Sequence, residues 1–298
     1  MTYQEFKDTT IRAIQMKLGK NCRVAIQDII KNNDTHLDGL TILANQSNIS
    51  PTIYLNQYYE QFLRGKTLSE IFSEILLAYE QHSPKQNIDV SFFTDYNKVK
   101  EHIIFKLVNY ERNKELLKQV PHIRYLDLAI VFNCLISADE GGCATILIHN
   151  HHLSFWNISK EELYELAKIN TPKLLSHRLH NMSDVLKEIF DDEELSALLS
   201  KEANMIPMYI LTNRQKLHGS ACIVYENLLS DIADCLDSDL YILPSSIHEV
   251  ILIPSISANS YAELSSMVRE VNSTQVSRKE ILSDHVYYYS RASKKLSM

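Results

Sequence analysis

The segment Pro244–Glu249 gathers the widest variety of chemically reactive side chains in the sequence. It reads Pro-Ser-Ser-Ile-His-Glu, so two hydroxyls, an imidazole and a carboxylate fall within six residues between two apolar stretches. A serine beside a histidine suggests a nucleophile with its base. The candidate catalytic residues are Ser245, Ser246, His248 and Glu249. Because triad partners usually converge from distant segments, a tight turn whose side chains bond backbone groups is the favoured alternative.

A second cluster, His149-Asn-His-His152, offers three imidazoles. On a strand, His149 and His151 would point to the same face and could share a metal ion. A metal site needs a further ligand, however, and neither the spacing nor an H-E-x-x-H pattern supplies one. The favoured interpretation is a strand end that leads into a polar loop. We therefore predict no metal and no other cofactor, and keep His149 and His151 as candidate ligands.

Tyrosines near residue 55 are candidate ligand-binding residues. Tyr54, Tyr58 and Tyr59 lie close enough in sequence to present aromatic faces to a base or a peptide. Lys31, in the segment Lys-Asn-Asn-Asp, could add an ammonium group. The alternative is that the tyrosines are half-buried core residues and that the segment at Lys31 is a hairpin turn.

The composition excludes several classes of protein. Hydrophobic residues make up 45% of the 298-residue chain and charged residues 22%, as in ordinary globular proteins and unlike disordered, collagen-like or membrane-spanning chains. There are only 6 glycines, and the glycine-rich fingerprints of dinucleotide-binding and P-loop proteins do not occur. The net charge of −7 disfavours nucleic acid and anionic membranes as partners.

The 5 cysteines predict a reducing compartment. Their number is odd, no C-x-x-C occurs, and Cys134 and Cys143 lie in apolar runs, where free cysteine behaves as a small hydrophobic residue. Reduced thiols are typical of the cytosol. We expect a soluble cytoplasmic protein whose partner is a protein or a small-molecule ligand, with neither nucleic acid nor a membrane as partner.

The hydrophobic pattern predicts a smaller N-terminal α+β part over residues 1–84 and a larger part over residues 85–298. Polar residues and a proline just after His82 mark this boundary. Apolar spacing, turn residues and capping boxes predict the elements of the first part. These are helices at 3–18, Asn56–Gly65 and Leu68–His82, and a hairpin of Val24–Ile30 with Leu37–Ala44.

The second part contains the clearest strand signal. In Tyr125–Ile136 apolar residues alternate onto one face and the other face is also largely apolar, which predicts a central strand covered on both sides. Further predicted elements include a helix at Tyr96–Leu117, a strand at Cys143–His149, a hairpin of Met208–Asn213 with Ala221–Tyr225, and a strand pair of Leu240–Leu243 with Glu249–Ile253. Hairpins interleaved with helices predict an α+β fold, an antiparallel sheet with helices packed on it.

Several segments together resemble one known family. They are Lys31-Asn-Asn33, Pro51–Leu55, Tyr58-Tyr-Glu60, Leu153–Ser159, Asn170-Thr-Pro172, Met208–Asn213, Tyr241–Glu249, Glu270-Val-Asn272, Thr274-Gln-Val276, Leu282-Ser-Asp284 and Val286-Tyr287. On these segments the sequence resembles an uncharacterised family of proteins of similar length, a domain of unknown function common in anaerobic gut bacteria. The resemblance implies an intracellular bacterial protein. It implies no reaction and no catalytic residue.

Two functional hypotheses remain open. The favoured one is a non-catalytic binding or regulatory protein, because no catalytic motif is recognised and the net charge is acidic. The alternative is a hydrolase-type enzyme with its site around Pro244–Glu249, which Asp127 or His149 could join from neighbouring strands. A cleft in which His248 meets a serine and a distant carboxylate would favour the enzyme.

Overall fold

The chain divides into two compact units, Met1–Phe92 and Phe93–Met298. The computed structural model describes residues 1–44, 50–83, 91–139, 142–189, 206–244, 246–258 and 260–298. The boundary predicted near residue 84 falls on 84–90, outside the described residues. None of the helices in the described ranges is both long and apolar enough to cross a membrane.

The first unit is a three-stranded antiparallel sheet in the order β1-β2-β3 with helices packed on it. Its elements are α1 (Tyr3–Leu18), β1 (Cys22–Lys31), β2 (Thr35–Ala44), β3 (Thr52–Tyr54), α2 (Leu55–Leu63) and α3 (Leu68–His82), with short 3-10 segments at Gly19–Asn21 and Asn32–Asp34. The predicted helices and hairpin of this part are confirmed within one or two residues.

Local chemistry explains where these elements begin and turn. Thr67 forms a capping box with Glu70 at the start of α3: its side chain accepts from the Glu70 backbone N–H, and the glutamate accepts from the Thr67 N–H. In the hairpin, Asn33 has φ 59°. Asparagine tolerates this left-handed conformation better than most residues. The unit's core forms where Phe6 and Ile14 of α1 meet the inner face of the sheet and α3.

The second unit contains two antiparallel sheets. Its helices are α4 (Ser91–Thr94, at the division), α5 (Tyr96–Val99), α6 (Lys114–Gln119), α7 (Asn150–Trp156), α8 (Lys160–Leu174), α9 (Met182–Ile189), α10 (Leu228–Cys235) and α11 (Tyr261–Thr274), with 3-10 segments at Lys100–His102, Glu111–Asn113, Gly219–Val224 and Ser255–Ser257. Its strands are β4 (Ile103–Asn109), β5 (His122–Tyr125), β6 (Leu128–Asp139), β7 (Gly142–Leu147), β8 (His177–Asn181), β9 (Tyr209–Asn213), β10 (Leu240–Leu243), β11 (Val250–Pro254), β12 (Tyr287–Ser290) and β13 (Lys295–Ser297).

Hairpin pairings organise both sheets. One has the order β4-β6-β5 with β7 also paired to β6, and the other has the order β13-β12-β10-β11-β9-β8. Helix α11 packs Leu264 and Val268 against Leu243 and Ile253 of the larger sheet. The predicted α+β class, built from antiparallel hairpins with helices packed on them, is confirmed, and the second unit contains two antiparallel sheets where one was predicted.

The central strand is confirmed with a shifted start. Residues 128–134 of β6 are buried on both faces. Tyr125 belongs to β5 instead, because Leu126 adopts φ 57° and turns the chain with Asp127 before β6 begins. The helix predicted at Tyr96–Leu117 is wrong. Its middle is strand β4, because six of the seven residues in Ile103–Asn109 are buried and a strand paired with β6 buries both of its faces.

Two other strand predictions are corrected. The hairpin of Met208–Asn213 with Ala221–Tyr225 does not form, because Gly219–Val224 is a 3-10 segment and β9 pairs with β8 and β11. The strand predicted at Cys143–His149 ends at Leu147. His149 is already the N-cap of helix α7.

Candidate functional site

The Pro244–Glu249 segment is the loop between β10 and β11. Ser245 lies outside the described residues. The Ser246 backbone N–H donates to the Glu249 carbonyl at 3.2 Å, and the Ser246 hydroxyl accepts the His248 backbone N–H at 3.0 Å. The Ser246 hydroxyl therefore bonds to the backbone amide of His248, and the segment forms a tight turn.

The His248 ring faces a neighbouring loop. Its Nδ1 lies 3.1 Å from the Lys216 carbonyl oxygen and 3.4 Å from the His218 backbone nitrogen. The His218 and His248 rings are nearly parallel, with centres 5.8 Å apart. Burial, followed by the charges of Lys106 and His248, holds the pKa of His218 well below its ordinary value. None of the described serine hydroxyls bonds to the His248 ring. The ring instead connects its own loop to the backbone of Lys216 and His218.

The three imidazoles at 149–152 do come together, but at a helix start. His152 Nδ1 accepts the His149 backbone N–H at 3.0 Å, and the ring centres of His151 and His152 are 4.0 Å apart. Burial, then the neighbouring His151 and His149, lowers the pKa of His152 to about 4. The same-face strand arrangement proposed for His149 and His151 is wrong, because His151 lies in α7. Within the described ranges no three His, Cys, Asp or Glu side chains are arranged to hold a metal.

The tyrosine candidates of the first unit separate into two environments. Lys31 Nζ lies 5.0 Å from the centre of the Tyr54 ring, a cation–π contact. Tyr58 is buried in the core, and Tyr59 packs against Phe6 and donates its hydroxyl to the Met1 carbonyl at 3.1 Å. The structure thus brings Lys31 and Tyr54 together and uses Tyr58 and Tyr59 for packing.

A polar cluster that the sequence analysis did not assemble lies around Asp127. Its Oδ2 accepts the Ser283 hydroxyl at 2.6 Å and lies 3.1 Å from His285 Nδ1, and its Oδ1 accepts the Tyr287 hydroxyl at 2.7 Å. The Asp127 side chain is 13% exposed, whereas that of His285 is 55% exposed. One carboxylate therefore holds three side chains of a single segment, and one of them reaches solvent.

Local structure explains this convergence. Asp127 occupies the tight turn between β5 and β6. Residues 284 and 285 form a bend just before β12, and within it the Ser283 hydroxyl accepts the His285 backbone N–H at 3.0 Å. Tyr287 is buried, and burial, followed by the charge of Asp127, raises the pKa of its phenol, which keeps the hydroxyl a donor.

The segment before β12 is held by further side chains. Asn109 Nδ2 donates to the Leu282 carbonyl at 3.0 Å. Asn272 Nδ2 donates to the Ser283 carbonyl and to Asp284 Oδ1, both at 2.8 Å. Arg112 forms an ion pair with Asp284. These contacts fix the backbone on either side of Ser283, so the Asp127 cluster has a rigid support.

A cleft of about 320 Å³ opens beside Tyr125 and Tyr289. Tyr125 directly precedes the turn that carries Asp127, and Tyr289 shares a face of β12 with Tyr287. The remaining lining residues are Tyr164, Ile223, Val224, Tyr225, Asn227, Leu229, Ser230, Lys294 and Leu296. Burial, followed by the electrostatic effect of Tyr164, raises the pKa of Tyr125. Uncharged phenols, one amide and one ammonium group thus border the cleft.

The sequence contains only part of the signal for this site. The alternation Ser283-x-His285-x-Tyr287 is visible in the sequence and would indicate a shared face. Its partner Asp127 lies 156 to 160 positions away from the three residues that it binds. No spacing rule connects residues at such a separation, because the turn that carries Asp127 and the segment that enters β12 belong to different sheets of the folded chain.

A model of a family of unknown function, DUF5688, matches residues 3–291 of the chain. The chain belongs to this family. The family resemblance drawn from the sequence segments is therefore confirmed over nearly the whole chain. No curated protein and no solved structure matches the chain. The DUF5688 assignment carries no reaction, so the function must be argued from the site itself.

Proposed function

We propose that this DUF5688 protein is a binding protein and that its ligand occupies the tyrosine-lined cleft of the second unit. The observation that carries the proposal is the cleft itself, at about 320 Å³ with Tyr125, Tyr164, Tyr225 and Tyr289 among its lining residues. Small-molecule pockets span about 300–1,000 Å³ and combine aromatic walls with a few polar groups.

The lining favours a small planar ligand that carries a negative charge. Tyrosine rings offer flat faces for stacking together with hydroxyls for hydrogen bonds. Lys294 is exposed at the edge of the cleft and adopts φ 52°. Its ammonium group would pair with a carboxylate. An aromatic carboxylate satisfies both features.

The net charge and the free thiols support the proposed class of ligand and the proposed location of the protein. The net charge of −7 favours a small-molecule or protein ligand over nucleic acid. All five cysteines are free, which supports a cytoplasmic location. The family resemblance alone supports a bacterial source. The hydrolase-type alternative around Pro244–Glu249 lacks comparable support, because the described hydrogen bonds of the His248 ring are to backbone groups.

Saturation-transfer NMR with benzoate and 4-hydroxybenzoate tests this function. We expect transfer from the wild-type protein to both aromatic carboxylates and none to acetate. Lys294→Gln should weaken binding by about 1.4- to five-fold, since an exposed ion pair contributes about 0.2–1 kcal/mol.

Lys295→Gln is the matched control, because Lys295 is the neighbouring exposed lysine and is not among the lining residues. It should bind the aromatic carboxylates as the wild type does. Equal transfer to acetate, or equal weakening by the two substitutions, would contradict the proposal.

A further inference from the structure

We propose that Asp127 and His285 form a proton-transfer site that activates water for the hydrolysis of small activated carboxylic esters. This activity goes beyond the proposed binding function and does not depend on it. The observation is a mostly buried carboxylate, 13% exposed, joined to an imidazole side chain that is 55% exposed.

The hydrogen bond decides which ring nitrogen of His285 carries the proton. Asp127 Oδ2, 3.1 Å away, is an acceptor, so Nδ1 is the donor in this pair. In the neutral ring the lone pair is then on Nε2, and the side chain that carries it is 55% exposed. A carboxylate on Nδ1 holds an imidazole in this tautomer and stabilises the imidazolium that forms when Nε2 takes up a proton.

The carboxylate is fixed before any reaction takes place. Tyr287 donates to Oδ1 and Ser283 to Oδ2, and both of these residues are buried. Because these donors are supplied by the folded chain, Asp127 needs no reorganisation when charge develops on His285. Preorganised polar groups of this kind stabilise developing charge most effectively.

The described contacts of His36, His152 and His248 differ from this combination. His36 also pairs with a carboxylate, Asp28 at 2.7 Å, but their side chains are 47% and 59% exposed. Solvent screens such a pair. His152 and His248 use Nδ1 in contacts with backbone groups. Among these histidines, His285 alone joins an exposed ring to a mostly buried carboxylate.

The step conserves atoms and charge. Nε2 removes a proton from water while the water oxygen bonds to the ester carbonyl carbon. The bond between that carbon and the leaving oxygen then breaks, and the leaving group departs with the electron pair. The proton on Nε2 passes to the leaving group or to solvent. One ester and one water become one carboxylic acid and one alcohol, with no oxidation or reduction.

Hydrolysis of 4-nitrophenyl acetate by the full chain tests the proposal. We expect a rate above that of buffer, and His285→Gln should lower this protein-dependent rate at least about ten-fold, toward the range typical for loss of an acid–base group. His36→Gln is the matched control, because it removes the histidine of the exposed pair, and its rate should equal that of the wild type.

A second measurement separates a chemical role from a structural one. In the neutral form of the ring, the ¹⁵N chemical shifts of His285 should show a protonated Nδ1 and an unprotonated Nε2. In Asp127→Asn that preference should be lost together with the hydrolysis. An unchanged rate in His285→Gln, an equal loss in His36→Gln, or a neutral ring protonated on Nε2 in the wild type would each overturn the proposal.

Discussion

The Thr212 hydroxyl donates to the His248 carbonyl oxygen at 2.8 Å and so connects β9 to the loop that follows β10. A second hydroxyl, that of Ser220, donates to the neighbouring Ile247 carbonyl at 2.8 Å. Gly219 lies against the first of these bonds, because its Cβ position would meet both Thr212 Oγ1 and the His248 carbonyl oxygen. The Pro244–Glu249 loop is therefore held by side chains from the Thr212–Ser220 region, and its backbone carbonyls, not its reactive side chains, are the groups that these hydroxyls bind.

Replacing Gly219 should test how tightly this contact is packed. A Cβ atom at position 219 would collide with Thr212 Oγ1 and with the His248 carbonyl oxygen. Overpacking of this kind costs about 1–3 kcal/mol, and occasionally more. We expect Gly219→Ala to lower the free energy of unfolding by at least that amount in urea titrations.

Gly65→Ala is the comparison for this substitution. Gly65 has φ +99° and nothing lies within 4 Å of its Cβ position, so alanine there adds backbone strain without a collision. If Gly219→Ala proved no more destabilising than Gly65→Ala, the close approach of the two loops would be refuted.

The His248 side chain should contribute to stability. Its Nδ1 lies 3.1 Å from the Lys216 carbonyl oxygen, and alanine would leave that backbone group without this partner. Because this contact is partly exposed, the expected cost is that of one hydrogen bond, about 0.5–1.5 kcal/mol. We expect His248→Ala to lower the thermal midpoint, while His177→Ala, at an exposed position on β8, leaves it unchanged. An unchanged midpoint in His248→Ala would show that the contact between the His248 ring and the Lys216 carbonyl does not stabilise the fold.

Local sequence signals predicted the local structure well. The Thr67–Glu70 capping box and the asparagines of the hairpin turn act on residues only a few positions away in sequence. Both elements are present in the structure as predicted. The helix predicted at Tyr96–Leu117 failed because burial on both faces of β4 outweighed the helical preference of the flanking residues. Burial is a tertiary property that a short sequence window does not contain.

The candidate site also depends on tertiary contacts that a short sequence window does not contain. The Pro244–Glu249 segment attracted attention because its reactive residues are neighbours in sequence. In the structure Ser246 and His248 bond each other through a backbone amide. The Asp127–His285 pair spans 158 positions, so only the assembled sheets bring it together.

The five thiols should fall into classes of different reactivity. Cys134 and Cys222 are buried, and burial raises the pKa of each thiol to about 12. Because the thiolate is the reacting form, these two should react with Ellman's reagent only after unfolding, whereas exposed Cys235 reacts in the native protein. Unfolded, unreduced protein should yield a count of five. A count of three or fewer would indicate disulfides and contradict the free-thiol assignment.

Acid should destabilise the second unit through His152. Burial, then His151 and His149, lowers the pKa of His152 to about 4 in the folded chain, whereas an unfolded histidine titrates near 6.5. Between these two values the unfolded state binds more protons, so stability falls as the pH falls from about 6.5 to about 4 and this contribution then levels off. His152→Gln removes the titrating group and should reduce the difference between thermal midpoints measured at pH 7.5 and pH 5. His177→Gln, on the exposed strand β8, should leave that difference as it is in the wild type. If His152→Gln retained the full acid sensitivity, His152 would not be its source.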